Sequence, residues 1–218
     1  MNDRDMEEII PRLAAELRAW EMPIVSHMAE ERRDPFAILI STLISLRTKD
    51  EVTAEASRRL FRLAESPVEM LALTPETIEK AIYPAGFYRN KAKTILAVCR
   101  ELVDLYDSQV LDTVEKLLTL PGVGRKTANL VVTLGYHKPG ICVDTHVHRI
   151  SNRLGYVKTK TPEQTEFALR AKLPEKYWID YNTLLVAFGR QLCRPISPFC
   201  SRCPVREYCD RVGVTTSR

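Results

Sequence analysis

The sequence predicts an all-α fold, and three observations carry that prediction. Apolar residues recur at intervals of three and four along most of the chain, as on one face of a 3.6-residue helix. Asp-Pro and Thr-Pro pairs stand where such patterns begin, each offering an N-cap oxygen and a proline at the first helical position. No run alternates polar and apolar residues as a half-buried strand requires.

The elements follow in order. Ile9, Ile10, Leu13, Leu17 and Trp20 share one face of a helix from Glu7 to Trp20, with Pro11 in its first turns. After Asp34-Pro35, the residues Phe36, Leu39, Ile40, Leu43 and Ile44 recur at three and four. From Ala37 to Ile44 this segment is apolar nearly all round, which places it at the centre of a domain. Ser45 to Asp50 is a polar break, and Val52, Ala56, Leu60 and Phe61 mark the next helix. Thr74-Pro75-Glu76 starts a short helix that ends at Ile82-Tyr83-Pro84-Ala85-Gly86. A long amphipathic helix follows Phe87-Tyr88-Arg89-Asn90-Lys91, with Ile95, Val98, Cys99, Leu102, Val103 and Tyr106 on one face. Asp112 and Glu115 have capping-box spacing ahead of the next apolar segment. Asp144 stands as the N-cap of a helix through Val147, Ile150 and Leu154, closed by Gly155. Thr161-Pro162-Glu163-Gln164 is a complete capping box, and a last helix covers Tyr177 to Gly189. There is no sequence repeat, and composition marks no domain boundary.

Composition bounds the function only loosely. A chain of 218 residues suffices for one large or two small domains with a sizeable core. The net charge of +4 suits a polyanion partner but is shared by many proteins without one. The N-terminal Met1-Asn2-Asp3-Arg4-Asp5-Met6-Glu7-Glu8 is acidic and polar, unlike a signal or transit peptide. No apolar run approaches the ~20 residues that span a bilayer. A cytoplasmic, nucleoid-associated protein with no membrane contact is expected, in a compartment where cysteines stay reduced. The six cysteines then read as ligands or core thiols rather than disulfides. Cys99, on an apolar helix face, and Cys142, in an apolar triplet, read as buried thiols.

The most informative stretch is Leu120-Pro121-Gly122-Val123-Gly124-Arg125-Lys126-Thr127-Ala128. Val114, Leu117, Leu118 and Leu120 lead into Pro121, which stops their helix. Gly122 and Gly124 can take positive φ and lack a Cβ, so another backbone can approach. A new helix starts near Arg125 and runs through Leu130, Val131 and Leu134. Two helices joined by a glycine hairpin present N–H groups at a helix start, an anion site suited to a nucleic-acid phosphate. An ordinary αα turn uses the same residue types. Lys126, just inside the helix and beside Arg125, is placed where the dipole and the neighbouring charge favour the neutral amine. A neutral amine is a nucleophile for a sugar carbon; a second phosphate contact is the alternative role.

The tail carries Cys193, Cys200, Cys203 and Cys209, spaced C-x6-C-x2-C-x5-C. Four thiols so close in a polar tail need a common centre, zinc or iron–sulfur. Zinc sites usually show two short knuckles and here only Cys200 and Cys203 make one, so spacing favours iron–sulfur only slightly. Arg194, Arg202 and Arg206 decorate the loop as candidate phosphate contacts.

Asp144 precedes Thr145-His146-Val147-His148-Arg149. Helix capping is its simplest role. The second hairpin helix carries the chain about 15 Å from Lys126, and the extended segment from Gly135 to Val143 spans up to about 30 Å. Chain length thus allows Asp144 to return to Lys126 without requiring it. His146 and His148 point to different faces of a helix, which suits packing or a phosphate contact rather than a shared metal.

L-P-G-V-G-R-K-T-A resembles the helix-hairpin-helix of the endonuclease III family of DNA glycosylases. V-D-T-H-V-H-R-I resembles that family's catalytic aspartate motif, and the four-cysteine spacing its C-terminal [4Fe-4S] loop. Arg47-Thr48-Lys49-Asp50 and the Gly86-Phe87-Tyr88 turn extend the match from about Pro23 to Cys209. The resemblance implies two helical domains with a DNA cleft between them. One is a six-helix barrel with the hairpin, residues 28–138; the other, residues 1–27 and 139–218, carries the cluster. It implies a monomeric bifunctional glycosylase and abasic-site lyase acting on double-stranded DNA that contains oxidised pyrimidines or abasic sites. Lys126 would attack C1′ of a flipped nucleotide and Asp144 would stabilise the cationic sugar. Gly122, Val123, Gly124, Arg125, Thr127, His146 and Arg194 would contact DNA, and Phe87 would wedge into the vacated position. One residue departs from the pattern: Arg47 stands where the family commonly has glutamine to fill the space left by the flipped base. Two alternatives stay open, a monofunctional mismatch glycosylase and a non-catalytic DNA-binding module with a structural metal. The first lacks lysine at the hairpin position, and the second needs the glycines but not the Lys126–Asp144 pair. An electron carrier would explain the cysteines but not the hairpin.

Overall fold

The structure is a computed structural model that describes residues 3–17, 20, 22–31 and 33–218. Every regular element among the described residues is helical, as expected. The helices are α1 (Asp3–Leu17), α2 (Ile24–Glu31), α3 (Pro35–Ser45), α4 (Asp50–Phe61), α5 (Pro67–Leu71), α6 (Pro75–Ile82), α7 (Tyr88–Tyr106), α8 (Val114–Leu117), α9 (Arg125–Leu130), α10 (Thr145–Leu154), α11 (Pro162–Lys172) and α12 (Trp178–Gln191). No described helix is long and apolar enough to cross a membrane.

The chain divides into two compact units, one of residues 24–138 and one joining residues 1–23 to 139–218. The division falls ahead of the expected residue 28 because that position lies inside α2, whose Val25 and Ala29 are both buried. Within the first unit α3 is the central helix. Asp34 caps it, accepting from the N–H groups of Phe36 at 2.9 Å and Ala37 at 3.4 Å, with Pro35 in the first turn. Eight of its eleven residues, Phe36 and Ile38 through Ile44, are buried against the surrounding helices, which is why this stretch is apolar all round. Ile95, Val98, Cys99 and Leu102 of α7 close the same core.

The second unit has its own core. Met6, Ile9 and Leu13 of α1, Val147 and Ile150 of α10, and Leu184, Leu185 and Phe188 of α12 pack together. α1 begins at Asp3, ahead of the expected Glu7, and ends at Leu17. Trp20 lies beyond it and stacks on Phe188 with ring centroids 5.9 Å apart.

Two caps differ in detail from expectation. Thr161 accepts from the Gln164 N–H at 3.2 Å, while the Gln164 side chain reaches back to the Lys160 N–H at 2.9 Å. Asp112 does not cap α8. Thr113 does, accepting from the Lys116 N–H at 3.4 Å, while Asp112 pairs with Lys138, which lowers its pKa.

Candidate active site

The hairpin is built from α8, a turn through Leu120 and Val123, and α9. Its two glycines differ. Gly122 has φ +72°, and a Cβ there would lie 2.6 Å from the Thr94 methyl, so both conformation and space demand glycine. Gly124 has φ −98° and is the N-cap of α9, and a Cβ there would meet nothing within 4 Å. The expectation of positive φ therefore holds for Gly122 and not for Gly124, where the absent side chain leaves the approach to the α9 N-terminus open. No side chain caps α9. Two outcomes follow. Gly122→Ala should lose about 1–3 kcal/mol of stability in urea unfolding, from strain and the Thr94 clash. Gly124→Ala should stay within about 0.5 kcal/mol of the parent yet weaken DNA binding in a fluorescence titration.

Arg125 and Lys126 form the first turn of α9 and are half-buried. Thr127 is 1% exposed and Val123 6%, so both side chains belong to the core and can offer DNA only main-chain groups. α9 passes directly into a π-helical turn, Val131–Gly135, whose Val131 and Val132 are buried.

In the other unit Asp144 caps α10. One carboxylate oxygen, Oδ1, accepts both cap bonds, from the N–H groups of His146 at 2.8 Å and Val147 at 2.9 Å. These bonds fix the carboxylate at the N-terminal end of the helix. Gly155 closes α10 with φ +81°. The two histidines serve different contacts: His146 Nδ1 lies 3.2 Å from Arg149 Nη2, and His148 Nδ1 lies 2.6 Å from the Thr165 hydroxyl.

The structure brings the four tail cysteines to one place. Cys193, Cys200, Cys203 and Cys209 line a single small pocket, walled also by Leu154, Phe188 and Leu192. Among the described residues no three His, Cys, Asp or Glu side chains converge on one point as a single metal ion requires. Burial pushes the Cys203 thiol up to about 11 and raises Cys193 and Cys209 as well. Thiolates in such surroundings need cationic partners, so a group bound here would have to displace the thiol protons. Arg153 supplies part of the positive charge: its Nη1 donates to Cys193 Sγ at 3.4 Å and to the Arg194 carbonyl at 2.8 Å. Beyond the cavity, the guanidinium groups of Arg194, Arg202 and Arg218 lie over the Phe199 ring at 5.1, 5.8 and 4.4 Å.

Arg47 and Phe87 also come together, with the guanidinium 5.5 Å from the ring centroid. Phe87 is 61% exposed, so its ring is not part of the core. Both residues sit in the left-handed region, Arg47 at φ +53° and Phe87 at φ +57°. For a side-chain-bearing residue that region costs about 1–2 kcal/mol, so the surrounding structure must hold them there. Beneath them lies Lys91, which sequence reasoning passed over. Its position four residues before Ile95 puts a lysine on the buried stripe of α7, and that was the available signal.

Residues 40–175 match the family model of the HhH-GPD superfamily base excision DNA repair proteins. The chain is 50% identical over 177 residues to endonuclease III of Thermotoga maritima, covering 81% of this chain and 83% of that one. It is 43% identical over 196 residues to the chloroplastic endonuclease III homolog 2 of Arabidopsis thaliana, covering 83% of this chain and 48% of the plant protein, so it spans about half of that relative. Its fold superimposes with a TM-score of 0.86, at 32% identity and over 97% of each chain, on a structure of a trapped endonuclease III–DNA covalent intermediate.

Proposed function

The chain belongs to the endonuclease III family, within the HhH-GPD superfamily of base excision DNA repair proteins, and is a DNA glycosylase with abasic-site lyase activity; we propose that Lys126 is its nucleophile, Asp144 its electrostatic partner, and oxidised pyrimidines in double-stranded DNA its substrates. The observation that carries this reading is Lys126 in the first turn of α9, immediately behind the open approach at Gly124.

The damaged nucleotide leaves the stack, because its sugar cannot be attacked inside the duplex. The Lys126 nitrogen places its lone pair on C1′ while the C1′–N bond breaks, and the base departs with that bond's electrons and takes a proton. The positive charge that builds on the sugar is opposed by the Asp144 carboxylate, which also assists removal of the Lys126 protons. The amine-bound C1′ opens to a Schiff base. Loss of a proton from C2′ then expels the 3′ phosphate and nicks the strand.

The tail would hold a [4Fe-4S] cluster on Cys193, Cys200, Cys203 and Cys209. What supports a cluster is the shared cavity of the four thiols together with the chemistry of an all-thiol donor set. When bound, the cluster clips the tail and supplies no step in bond breaking. Cys203→Ser should remove the visible absorption of the purified protein and release the 193–209 loop to limited proteolysis. Retention of both colour and protection would count against this ligand set. Free cysteines of this kind fit residence in the cytoplasm, and a DNA substrate fits association with the nucleoid.

Gly122 and Gly124 with the first turn of α9 would hold a phosphate, and Arg194 would meet a second one. Arg47 would fill the space left by the flipped nucleotide, where its guanidinium can hydrogen-bond an orphan base, guanine especially. Arg47→Gln should therefore redistribute excision rates among lesions paired with each of the four bases. Unchanged ratios would show that Arg47 does not read the orphan base.

Incubation with a duplex holding one thymine glycol tests the whole reading. Release of the base together with a strand nick carrying a 3′ unsaturated aldehyde is expected. Base release that leaves an intact abasic strand would mark a monofunctional glycosylase, and binding without release a non-catalytic module.

A further inference from the structure

Lys91 is 8% exposed, one turn into α7, and its ammonium group reaches the end of α3. Its Nζ donates to the carbonyls of Ile44 and Leu46, each at 2.6 Å, and to the Thr48 hydroxyl at 2.7 Å. An ammonium has three donors, and here all three are used on acceptors that are neutral. Two of those acceptors are main-chain oxygens at the C-terminal end of α3, where the helix dipole is negative. The third, Thr48 Oγ1, also accepts the Gly86 N–H at 3.0 Å. Lys91 thus ties the end of α3 and the loop after it to the turn ahead of α7.

Those two segments carry Arg47 and Phe87. Arg47 lies between two of the residues that Lys91 holds, Leu46 and Thr48. Phe87 follows Gly86, whose own close fit reinforces the link: a Cβ at Gly86 would stand 2.5 Å from the Arg47 carbonyl oxygen. Both exposed residues are in the left-handed region, which the chain does not adopt without support. A buried lysine is an expensive way to close a helix that water or a glycine could close equally well. Its three bonds do something a simple cap would not, which is to fix two loops in one geometry.

The geometry points to Lys91 as a positioning residue that presents Arg47 and Phe87 as one composite wedge for the gap left by the flipped nucleotide. The guanidinium stacked on the Phe87 ring is that wedge, and the Lys91–Thr48–Gly86 bonds are its base. The inference rests on the role proposed above for Arg47 and Phe87.

Single-turnover excision from duplexes with a lesion opposite each of the four bases provides the test, with Lys91→Met, Lys91→Arg, Arg47→Ala and the double variant Lys91→Met with Arg47→Ala. Lys91→Met should slow excision at least tenfold and narrow the spread among the four opposite bases to that of Arg47→Ala. The double variant should be no slower than the slower single one, because both changes remove the same wedge. Lys91→Arg, which keeps the charge and donors, should recover part of the spread. Multiplicative slowing in the double variant, or an even slowing opposite all four bases, would overturn the positioning role. If Lys91→Met does not fold, Thr48→Val removes the shared hydroxyl instead, and an unchanged spread in that variant overturns the inference equally. Failure of the underlying role is separately visible: Arg47→Ala and Phe87→Ala would then leave excision at the parent rate.

Discussion

Lys126→Ala should abolish strand nicking and covalent capture while leaving the protein folded and able to bind DNA. The side chain is half-buried in the first turn of α9, so trimming it to alanine, a strong helix former, leaves no cavity in a core. The loss is therefore chemical. With the proposed nucleophile removed, no Schiff base should form and β-elimination should lack its electron sink. A fall of at least about a thousandfold in nicking of abasic duplex is expected, as for loss of a covalent nucleophile. The measurement is single-turnover cleavage alongside borohydride trapping, with DNA affinity and helical circular dichroism as controls. Nicking that survives in the variant would mean that another amine, or another mechanism, performs the lyase step.

The second large effect concerns Asp144, where structure and chemistry are separable. The carboxylate is an N-cap, with both bonds accepted by one oxygen. Asparagine caps a helix about as well as aspartate. Asp144→Asn should therefore keep α10 and change stability by less than about 1 kcal/mol. In the role proposed for Asp144 it removes the negative charge set against the developing sugar cation, and excision should fall by about 10²–10⁴-fold. Asp144→Ala should lose the cap as well, with about 1 kcal/mol of stability on top of the same kinetic defect. If Asn and Ala differ in stability but neither slows excision, Asp144 is a cap and nothing more.

The sequence made some of this legible for physical reasons, and the rest was hidden for equally physical ones. α3 was readable because a helix buried on every side must be apolar on every side. The N-caps Asp34, Thr74, Asp144 and Thr161 were readable because a cap is a local interaction, complete within four residues. α2 and α5 were not. Each is short and buries only two or three side chains, such as Val25 and Ala29 in α2, too few to make a periodic signal. α5 is nevertheless capped by Ser66 ahead of Pro67, the same pattern that revealed α6. The Gly122 conformation was legible and that of Gly124 was not, because residue type states what glycine permits rather than what its surroundings demand. The gathering of four thiols followed from their spacing. The pairing of Arg47 with Phe87, forty residues apart, depended on Lys91 and Gly86, and only the folded chain shows that link.

The family relationship rests on long stretches of similarity, but the claim that Lys126 is the nucleophile rests on one nitrogen. Borohydride reduction during reaction with a duplex containing a single abasic site would fix whatever amine has bonded to C1′. Protease digestion and mass spectrometry of that adduct would then identify the residue. The sugar remnant is expected on the peptide that contains Lys126. An adduct on a different lysine or on the N-terminal amine, or active nicking with no adduct at all, would contradict it.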